Sequence, residues 1–201
     1  MQAVLWCNGS IPSTRVTEMV ISEDSPVFGV DGGAQKASDC GFLVVEAIGD
    51  LDSIDKQTWE GGMQELSDQS NSDLAKSIGL LIERGFDEID VVGVEGGDPA
   101  HVIGNWAALF ESPHGASIRL HHEDHITQRL HPEEGVLEMQ IDEGVKFSVF
   151  AIEMGKVWIH GSRWELSGEV LTFSTRGLHN EGIGELVSIR SEVVLAVVTP
   201  R

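Results

Sequence analysis

The sequence predicts an N-terminal α/β domain with a mostly parallel sheet, followed by a C-terminal antiparallel β-sandwich. In the first half, short apolar runs alternate with helical patterns, which is typical of βαβ units. After about residue 115, short alternating runs follow one another without helical patterns between them, which indicates antiparallel strands. The segment ESPHGA at 111–116 contains turn-forming residues. We therefore expect one domain over residues 1–113 and a second over residues 114–201.

Each helix and strand predicted in the first half follows from a local sequence pattern. Helical patterns cover residues 14–23, 33–39, 72–84 and 101–111. The third pattern is the clearest, because apolar residues recur at helical spacing from Leu74 to Ile82 and Gly85 follows as a stop signal. The predicted strands are apolar runs at residues 3–7 (AVLWC), 26–30 (PVFGV), 44–48 (VVEAI) and 88–94 (EIDVVGV).

The second half contains short runs that fit the strands of a sandwich. They lie at residues 117–123 (SIRLHHE), 135–141 (GVLEMQI), 146–152 (KFSVFAI), 156–161 (KVWIHG), 170–174 (VLTFS), 185–190 (ELVSIR) and 193–198 (VVLAVV). The intervening segment HHEDH is interpreted as an acidic loop with exposed histidines. A zinc site is the alternative for His114, His121, His122, His125 and His131, but neighbouring strand residues face opposite sides and no cysteine lies near.

The composition excludes several classes of protein. With 33 acidic and 13 basic residues, the formal net charge is −20, so most of the surface repels nucleic acids and anionic lipids. A nucleotide can still bind where a metal ion and backbone N–H groups offset the carboxylates. No apolar run approaches the roughly 20 residues of a membrane span, and the N-terminus does not resemble a signal peptide. With only Cys7 and Cys40 as cysteines, we expect a cytoplasmic protein.

Acidic residues and glycines follow the predicted strands of the first half. Asp50 and Asp52 come after the third strand, and in an extended chain their side chains would point to the same side and share a Mg²⁺ ion. The alternative is a turn with Asx-type hydrogen bonds, or a helix cap at Ser53. Because ligands bind at the carboxyl ends of strands in open α/β sheets, we expect a binding site at this edge.

Two further segments have both a structural and a functional interpretation. Asp73 and Lys76 open the third helix, where they form either a first-turn acid and surface ion pair or a metal ligand and a phosphate contact. The stretch VEGGDPAHVIGN at 94–105 is either a plain tight turn or a loop whose N–H groups approach a phosphate.

Four motifs in order resemble the thiamine pyrophosphokinase family: VDGGAQKASDCG at 30–41, AIGDLDSID at 47–55, DQSNSDLAKSI at 68–78 and GVEGGDPAHVIGN at 93–105. GSRWEL at 161–166 and TRGLHNE at 175–181 are similar to the family's thiamine-side motifs. The resemblance covers nearly the whole chain. It implies a homodimeric enzyme with an α/β domain and a β-sandwich, which binds Mg²⁺ and transfers a pyrophosphoryl group from ATP to the hydroxyl of thiamine, releasing AMP.

The resemblance also implies roles for individual residues. Asp50, Asp52 and Asp73 correspond to the family's catalytic and metal-binding carboxylates. The nucleotide side would be formed by Asp31, Gly32, Gly33, Lys76, Gly96, Gly97 and His101. The thiamine side would be formed by Gln69, Trp164, His179 and Asn180.

The chain departs from the family pattern at two places. In the pattern Gly-Gly-Arg-x-Asp-His, Asp98 occupies the arginine position and Ala100 the aspartate position, so a phosphate-binding cation and an expected metal ligand are replaced. Asp98 becomes a substitute metal ligand if the turn is shifted, although Pro99 restricts it to extended geometry. The family's Ser-Asn-Glu becomes His179-Asn180-Glu181. The alternative hypothesis is therefore a member that binds a nucleotide or thiamine without turnover, or that uses another substrate.

Overall fold

The computed structural model describes residues 1–201, which form two compact units, Met1–Glu123 and Asp124–Arg201. The first unit is an α/β domain and the second consists of antiparallel strands, as the sequence predicts. The first unit extends beyond residue 113. The reason is that the strand at Ser117–His121, which we expected in the antiparallel part, pairs in parallel with the strand at Glu88–Val92.

The first unit contains six strands and four helices. In chain order they are β1 (Gln2–Trp6), α1 (Thr14–Val20), β2 (Val27–Val30), α2 (Gly33–Asp39), β3 (Val44–Gly49), β4 (Gly62–Glu65), α3 (Asp73–Glu83), β5 (Glu88–Val92), α4 (Pro99–Glu111) and β6 (Ser117–His121). Sequence periodicity located all four helices. It missed β4, which is a short edge strand with three of its four residues exposed and no apolar alternation.

All six strands of this unit are parallel, in the order β6-β5-β1-β2-β3-β4. The chain moves from β1 outward to β4 and then returns to the other side of β1 through α3 and β5. The strand order therefore reverses between β1 and β5, and such a reversal opens a crevice at the carboxyl ends of the strands.

Alternate residues of each strand pack against helices on opposite faces of this sheet. On β1, Ala3 and Leu5 belong to the core under α3 and α4, whereas Val4 and Trp6 belong to the core under α1 and α2. Residues buried on both faces explain why these strands read as continuous apolar runs. The layered core holds the strand ends, and the loops that follow them, in fixed positions.

The second unit is a β-sandwich. Its strands are β7 (His125–Leu130), β8 (Leu137–Gln140), β9 (Lys146–Ala151), β10 (Gly155–His160), β11 (Leu166–Leu171), β12 (Asn180–Glu181), β13 (Leu186–Ser191) and β14 (Leu195–Pro200). Antiparallel pairing gives the orders β12-β9-β14-β7 and β11-β10-β13-β8. Apolar residues of both groups of strands, such as Phe147 and Val149 on β9 and Ile159 on β10, form one core.

One strand prediction in this unit was inaccurate, and the strands β7 and β12 were not predicted. The strand that we expected at residues 170–174 is β11, which begins at Leu166 and contains Gly168. Gly168 has a φ of 92° and fits against the Trp158 ring, so this glycine lies within a strand. The strand β7 was missed because its polar residues resemble a loop.

None of the helices is long enough and apolar enough to cross a membrane.

Candidate active site

Three carboxylates meet at the carboxyl ends of β2 and β3. Asp31 follows β2, and Asp50 and Asp52 follow β3. One oxygen of each side chain lies within 4.8 Å of an oxygen of both others. Asp31 and Asp50 are half-buried and Asp52 is exposed, so this acidic group opens to solvent on one side. The predicted pair Asp50 and Asp52 is brought together, and Asp31, which we expected only on the nucleotide side, joins it.

Unusual backbone torsions produce this convergence. Asp31 and Leu51 have φ values of 48° and 59°, in the left-handed region. The N–H of Asp31 donates to the carbonyl of Ile48 at 2.9 Å, which keeps the ends of β2 and β3 together. The carboxylate of Asp50 accepts a hydrogen bond from the N–H of Asp52 at 3.2 Å. The acidic pair therefore lies in an Asx-type turn, which was the alternative to the extended chain.

Asp73 approaches the acidic group from the start of α3. The side chain of Ser72 caps this helix by accepting a hydrogen bond from the N–H of Ala75 at 3.2 Å. A β-carbon placed on Gly49 would lie 3.3 Å from Cβ of Asp31 and 3.4 Å from Cγ of Asp73. Gly49 also has a φ of 151°, which L-residues rarely adopt. A glycine here therefore lets the carboxylate of Asp73 pack close to Asp31.

The donor set suits a hard divalent cation. Oδ1 of Asp31 is buried and has no hydrogen-bond partner, which is uncommon for a buried carboxylate oxygen. Three carboxylates this close repel one another unless a cation or protons offset their charge. Carboxylates are also the protein ligands that Mg²⁺ prefers when it bridges to substrate phosphates. The residues therefore fit a Mg²⁺ ion.

Lys76 interacts mainly with the protein. Its Nζ lies 2.8 Å from Oδ1 of Asp73 and donates to the carbonyls of Leu66 at 3.1 Å and Asp68 at 2.7 Å. One carboxylate and two carbonyls thus surround the ammonium group, whose side chain is only 10% exposed. Asp73 and Lys76 therefore form the ion pair of the structural interpretation, although Lys76 is largely buried and not on the surface. The predicted contact of Lys76 with a phosphate gains no support from this arrangement, because its three donors already face protein oxygens.

A cavity of about 210 Å³ lies in the crevice where the strand order reverses. It contains three of the predicted nucleotide-side residues, Gly96, Gly97 and His101. The loops after β1 and β5 are tied together by hydrogen bonds from the N–H of Gly9 to the carbonyl of Gly93 (2.9 Å) and from Ser10 to Glu95 (2.6 Å). The complete lining is Cys7, Asn8, Gly9, Val94, Gly96, Gly97, Asp98, His101 and Asn105.

The VEGGDPAHVIGN loop is shaped by its glycines. Gly96 and Gly97 have φ values of 75° and 74°. A side chain at Gly96 would displace Oγ of Ser10, and the positive φ also disfavours other residues, so glycine suits the close approach of the two loops. Asn105 of α4 donates to the carbonyl of Val94 at 3.0 Å and fixes the helix against the loop. The stretch is thus one wall of the crevice as well as a turn.

Asp98 is the N-cap of α4. Its Oδ1 accepts a hydrogen bond from the N–H of Ala100 at 2.8 Å, and Pro99 occupies the first helical position. Asp98 does not belong to the acidic group of Asp31, Asp50 and Asp52. The prediction that Asp98 replaces the missing metal ligand therefore gains no support, because Asp98 lies outside the acidic group and one of its carboxylate oxygens is used for capping.

Gly32 and Gly33 are required by packing. A side chain at Gly33 would collide with the backbone of Trp6 and Cys7, and one at Gly32 would meet the amide of Asn8 and Cβ of Ser53. The glycine pair thus lets the start of α2 pack on the end of β1. This explains the two glycines without a ligand, and their predicted role beside the nucleotide stays a prediction.

A second cavity, of about 430 Å³, lies in the second unit. It brings together three of the four predicted thiamine-side residues, Trp164, His179 and Asn180. Trp164 is 55% exposed and presents a broad ring surface. The remaining lining residues are Ile159, Leu166, Arg176, Gly177 and Leu178. The fourth predicted residue, Gln69, lies in the first unit on the exposed segment between β4 and α3.

Asn180 organises this cavity. Its side-chain amide donates to Oγ of Ser162 at 3.1 Å and to the carbonyl of Trp164 at 2.8 Å, and its Oδ1 accepts from the N–H of Trp164 at 3.2 Å. His179 has a φ of 58°, and its N–H donates to Oγ of Ser148 at 3.0 Å. Asn180 is buried, so its role is to hold the segment of Trp164 in place.

The histidine-rich stretch differs from the predicted exposed loop. His121 is buried at the end of β6, and its Nε2 lies 2.7 Å from Oδ1 of Asp90 on β5. His122 is half-buried, with Nδ1 3.5 Å from Oε1 of Glu95. The prediction of exposure was wrong for His121 because strand pairing with β5 places this side chain beside a buried carboxylate.

Sequence reasoning also missed several residues of these sites. Asn8 and Gly9 line the crevice, and the Asn-Gly pair after an apolar run was a turn signal. Arg176 lines the cavity of the second unit and belongs to the TRGLHNE motif, which pointed to it. Asp31 in the acidic group could have been found from its place after a strand, where acids of neighbouring strands converge.

Comparison with known proteins identifies relatives over the whole fold. The family model described as thiamin pyrophosphokinase, catalytic domain, matches residues 17–120. A thiamine pyrophosphokinase of Bacillus subtilis is 28% identical over 187 residues, which cover 81% of this chain and 86% of the relative.

The solved structures show the same fold. The structure of the thiamine pyrophosphokinase from Bacillus subtilis has a TM-score of 0.80 at 22% identity and covers 100% of this chain and 99% of its own. The yeast thiamin pyrophosphokinase has a TM-score of 0.76 at 12% identity, with coverages of 99% and 86%. The match to the catalytic-domain family extends over more than half of the chain, from α1 to β6. The chain therefore belongs to the thiamine pyrophosphokinase family.

Proposed function

We propose that this protein transfers a pyrophosphoryl group from ATP to the hydroxyl of thiamine, which gives thiamine diphosphate and AMP. The hydroxyl oxygen forms a bond to the β-phosphorus, while the bond from that phosphorus to the oxygen bridging the α- and β-phosphates breaks. The hydroxyl proton goes to a nearby base or to water. The observation that carries this proposal is the acidic group of Asp31, Asp50 and Asp52 at the strand ends of the family-matched domain.

Asp31, Asp50 and Asp52 would hold Mg²⁺, and Asp73, which packs beside Asp31 at Gly49, would add a fourth carboxylate near the site. When bound, Mg²⁺ offsets the charge on the phosphate oxygens. The protein groups have a separate task. The rigid ends of β2 and β3 keep the carboxylates at one place, so that little reorganisation is needed when the triphosphate arrives. The chain has a net charge of −20 and would otherwise repel ATP, so a cation held at the acidic group is needed for ATP to bind.

The crevice between β1 and β5 is the proposed nucleotide side. The loop of Gly96 and Gly97 has no side chains that would block the approach of a ligand to its N–H groups. His101 lies on the same wall at the start of α4. We assign residues 1–113 the role of nucleotide binding, together with the β6 segment that completes the sheet.

The cavity of the second unit is the proposed acceptor side. The exposed Trp164 ring suits the flat, cationic thiazolium of thiamine, because aromatic faces attract cations. His179, which takes the place of the serine of the family pattern, lines the same cavity, and Gln69 of the first unit is a further candidate contact. We also propose a cytoplasmic homodimer in which the second unit contributes to dimerisation, as the family resemblance implies.

The alternative, a member that binds without turnover, is not favoured. It rested on Ala100, which occupies the place of an expected metal ligand. The acidic group contains three carboxylates without residue 100, so the loss of that ligand leaves a site that still fits Mg²⁺.

AMP formation from ATP and Mg²⁺, with and without thiamine, tests the proposed activity. We expect thiamine-dependent AMP in the wild type and at least a hundredfold lower rate in Asp50→Asn, with Asp55→Asn as the matched control. Asp55 lies on the same loop, and its side chain contacts only the N–H of Gln57, which asparagine preserves. Nucleotide binding without AMP under any acceptor condition would refute the transferase and support the binding-only alternative.

A further inference from the structure

The positive charge available to a triphosphate at the strand ends is limited. The first unit has six basic side chains, and all of them except Lys56 contact protein oxygens. Arg15 donates to the carbonyl of Glu123, Arg84 pairs with Glu46, Arg119 pairs with Glu88 and Asp90, and Lys76 is surrounded by Asp73, Leu66 and Asp68. The other two are Lys36 and Lys56.

Lys36 is fixed beside the crevice. It lies on α2, and its half-buried side chain reaches the loop after β1. Nζ donates to the carbonyl of Asn8 at 2.7 Å and to that of Gly9 at 2.6 Å. An ammonium group has three N–H donors, so one donor of Lys36 has no partner. Lys56, in contrast, is exposed on the acidic loop and has no hydrogen bond or ion pair.

Asn8, whose carbonyl accepts a hydrogen bond from Lys36, contacts both the cavity at Gly96 and Gly97 and the start of α2 at Gly32. Asn8 and Gly9 line the cavity of about 210 Å³ next to Gly96 and Gly97. Asn8 also packs against Gly32, because a β-carbon on Gly32 would lie 2.7 Å from its Nδ2 and 3.3 Å from Cβ of Ser53. Gly32 directly follows Asp31, a member of the acidic group. The ammonium of Lys36 is thus bound to the backbone of two residues that line the crevice, and one of these, Asn8, also packs against the glycine that follows Asp31.

We propose that Lys36, and not Lys76, is the cation that binds the phosphates of the nucleotide. Two of its N–H groups hold the loop after β1, and the third donates to a phosphate oxygen. This proposal rests on the proposed function, since it assumes a nucleoside triphosphate in the crevice. A fixed ammonium contributes more than a mobile surface lysine, because its orientation is set before the ligand arrives. The partly desolvated position also strengthens a charge-assisted hydrogen bond to phosphate.

The test compares Lys36→Gln and Lys36→Arg with the control Lys56→Gln. Glutamine can still donate to a carbonyl of the loop but has no charge, and arginine keeps the charge. Affinities for ATP, ADP and AMP are measured by calorimetry with Mg²⁺, together with the melting temperature. We expect Lys36→Gln to bind ATP about 10- to 100-fold more weakly and AMP much less affected, with Lys36→Arg close to the wild type and Lys56→Gln unchanged.

Each outcome decides between the interpretations. If Lys36→Gln weakens ATP, ADP and AMP by the same factor, Lys36 only supports the loop and the proposal is wrong. The proposal is also wrong if Lys36→Gln binds ATP like the wild type, or if Lys56→Gln shows the larger loss. A wild type that binds ATP without forming AMP would refute the transferase but leave the role of Lys36 measurable by binding. A wild type that binds no nucleotide would overturn both.

Discussion

In the acidic group, the backbone torsions of single residues determine which side chains meet. Asp31 and Leu51 adopt left-handed torsions, and these torsions turn the carboxylates of Asp31, Asp50 and Asp52 toward one point. Such torsions are uncommon for residues other than glycine and are retained where the surrounding structure enforces them. The strand-to-strand hydrogen bond from Asp31 to Ile48 is one such constraint. The site is therefore set by local geometry that ordinary residue preferences do not favour.

Asp50→Asn should stabilise the metal-free protein but weaken its binding of Mg²⁺. Without Mg²⁺, removing one of three adjacent negative charges should increase the free energy of unfolding by up to about 1 kcal/mol. With Mg²⁺, the affinity for the ion should fall at least about tenfold, because ligand charge sets the affinity of such sites. The asparagine oxygen can still accept from the N–H of Asp52 and preserve the turn. Thermal unfolding across a Mg²⁺ titration measures both effects.

The control is again Asp55→Asn, which removes a charge from the same loop outside the acidic group. If Asp50→Asn destabilises the metal-free protein and leaves the response to Mg²⁺ unchanged, the three carboxylates do not form a metal site.

At the start of α4, two substitutions of Asp98 separate its role as a helix cap from a role as a metal ligand. We expect Asp98→Ala to lower the free energy of unfolding by about 1 kcal/mol, because the N–H of Ala100 loses its cap. Asp98→Asn keeps a capping oxygen and should leave stability nearly unchanged. Since Asp98 lies outside the acidic group, Asp98→Asn should also leave Mg²⁺ affinity unchanged. Urea unfolding and Mg²⁺ titration provide the two measurements, and a large loss of Mg²⁺ affinity in Asp98→Asn would restore Asp98 as a ligand.

Elements of secondary structure differ in how well the sequence predicts them. The bounds of α2 and α3 agree with the predicted ranges, because an apolar stripe at helical spacing reports burial on one face. The strands β4 and β7 were missed, since neither has the apolar alternation that marks a half-buried strand. β6 was found, but its partner and direction depend on which other strand lies beside it. That information is absent from a local pattern.

A buried polar network joins three strands of the first unit. Asp90 on β5 accepts hydrogen bonds from Gln2 on β1 at 2.7 Å and from Arg119 on β6 at 2.6 and 2.9 Å, and lies 2.7 Å from Nε2 of His121. Burial raises the pKa of Asp90, but the hydrogen bonds of His121, Arg119 and Gln2 and the charge of Arg119 outweigh it. The pKa of Asp90 therefore lies well below its usual range, and that of Arg119 well above.

Asp90→Asn should lower the free energy of unfolding at pH 7 by about 2 to 4 kcal/mol, because it leaves Arg119 without its buried counter-charge. The depressed pKa of Asp90 in the folded state means that its contribution is complete above its unfolded pKa of about 3.9 and declines as the pH falls toward the folded pKa. The difference between wild type and variant should therefore shrink below about pH 4. Urea unfolding at pH 7, 5 and 3.5 measures it.

Asp142→Asn is the matched control for this prediction, because Asp142 is exposed and its side chain makes no hydrogen bond or ion pair. We expect it to follow the wild type at every pH. A difference between wild type and Asp90→Asn that stays constant from pH 7 to 3.5 would argue against an ionised Asp90 as the source of stability.

At the scale of the whole molecule, the excess of acidic residues is the dominant property. Twenty uncompensated negative charges repel one another in the compact state. In the proposed mechanism, Mg²⁺ and Lys36 offset the repulsion between this charge and a triphosphate. The same negative charge thus lowers the stability of the fold and opposes the binding of an anionic ligand.

Added salt should stabilise the protein. Raising NaCl from 0.1 M to 1 M shortens the screening length from about 10 Å to about 3 Å, so the repulsion between surface carboxylates is reduced. We expect the melting temperature to rise by several degrees, as measured by calorimetry in the absence of Mg²⁺. A flat or falling melting temperature would show that ion pairs, which salt weakens, outweigh the repulsion.

The sequence by itself determined the class of fold, four helices, most strands and the edge of the sheet at which the acidic group lies, because periodicity and strand-end composition are local signals. Its motifs also identified the family. The tertiary structure decided which side chains meet. Strand order placed β1 beside β5 and opened the crevice, backbone torsions brought Asp31 to Asp50 and Asp52, and capping engaged Asp98. These results depend on contacts between residues far apart in the chain and on torsions that no residue type prescribes, so only the folded molecule contains them.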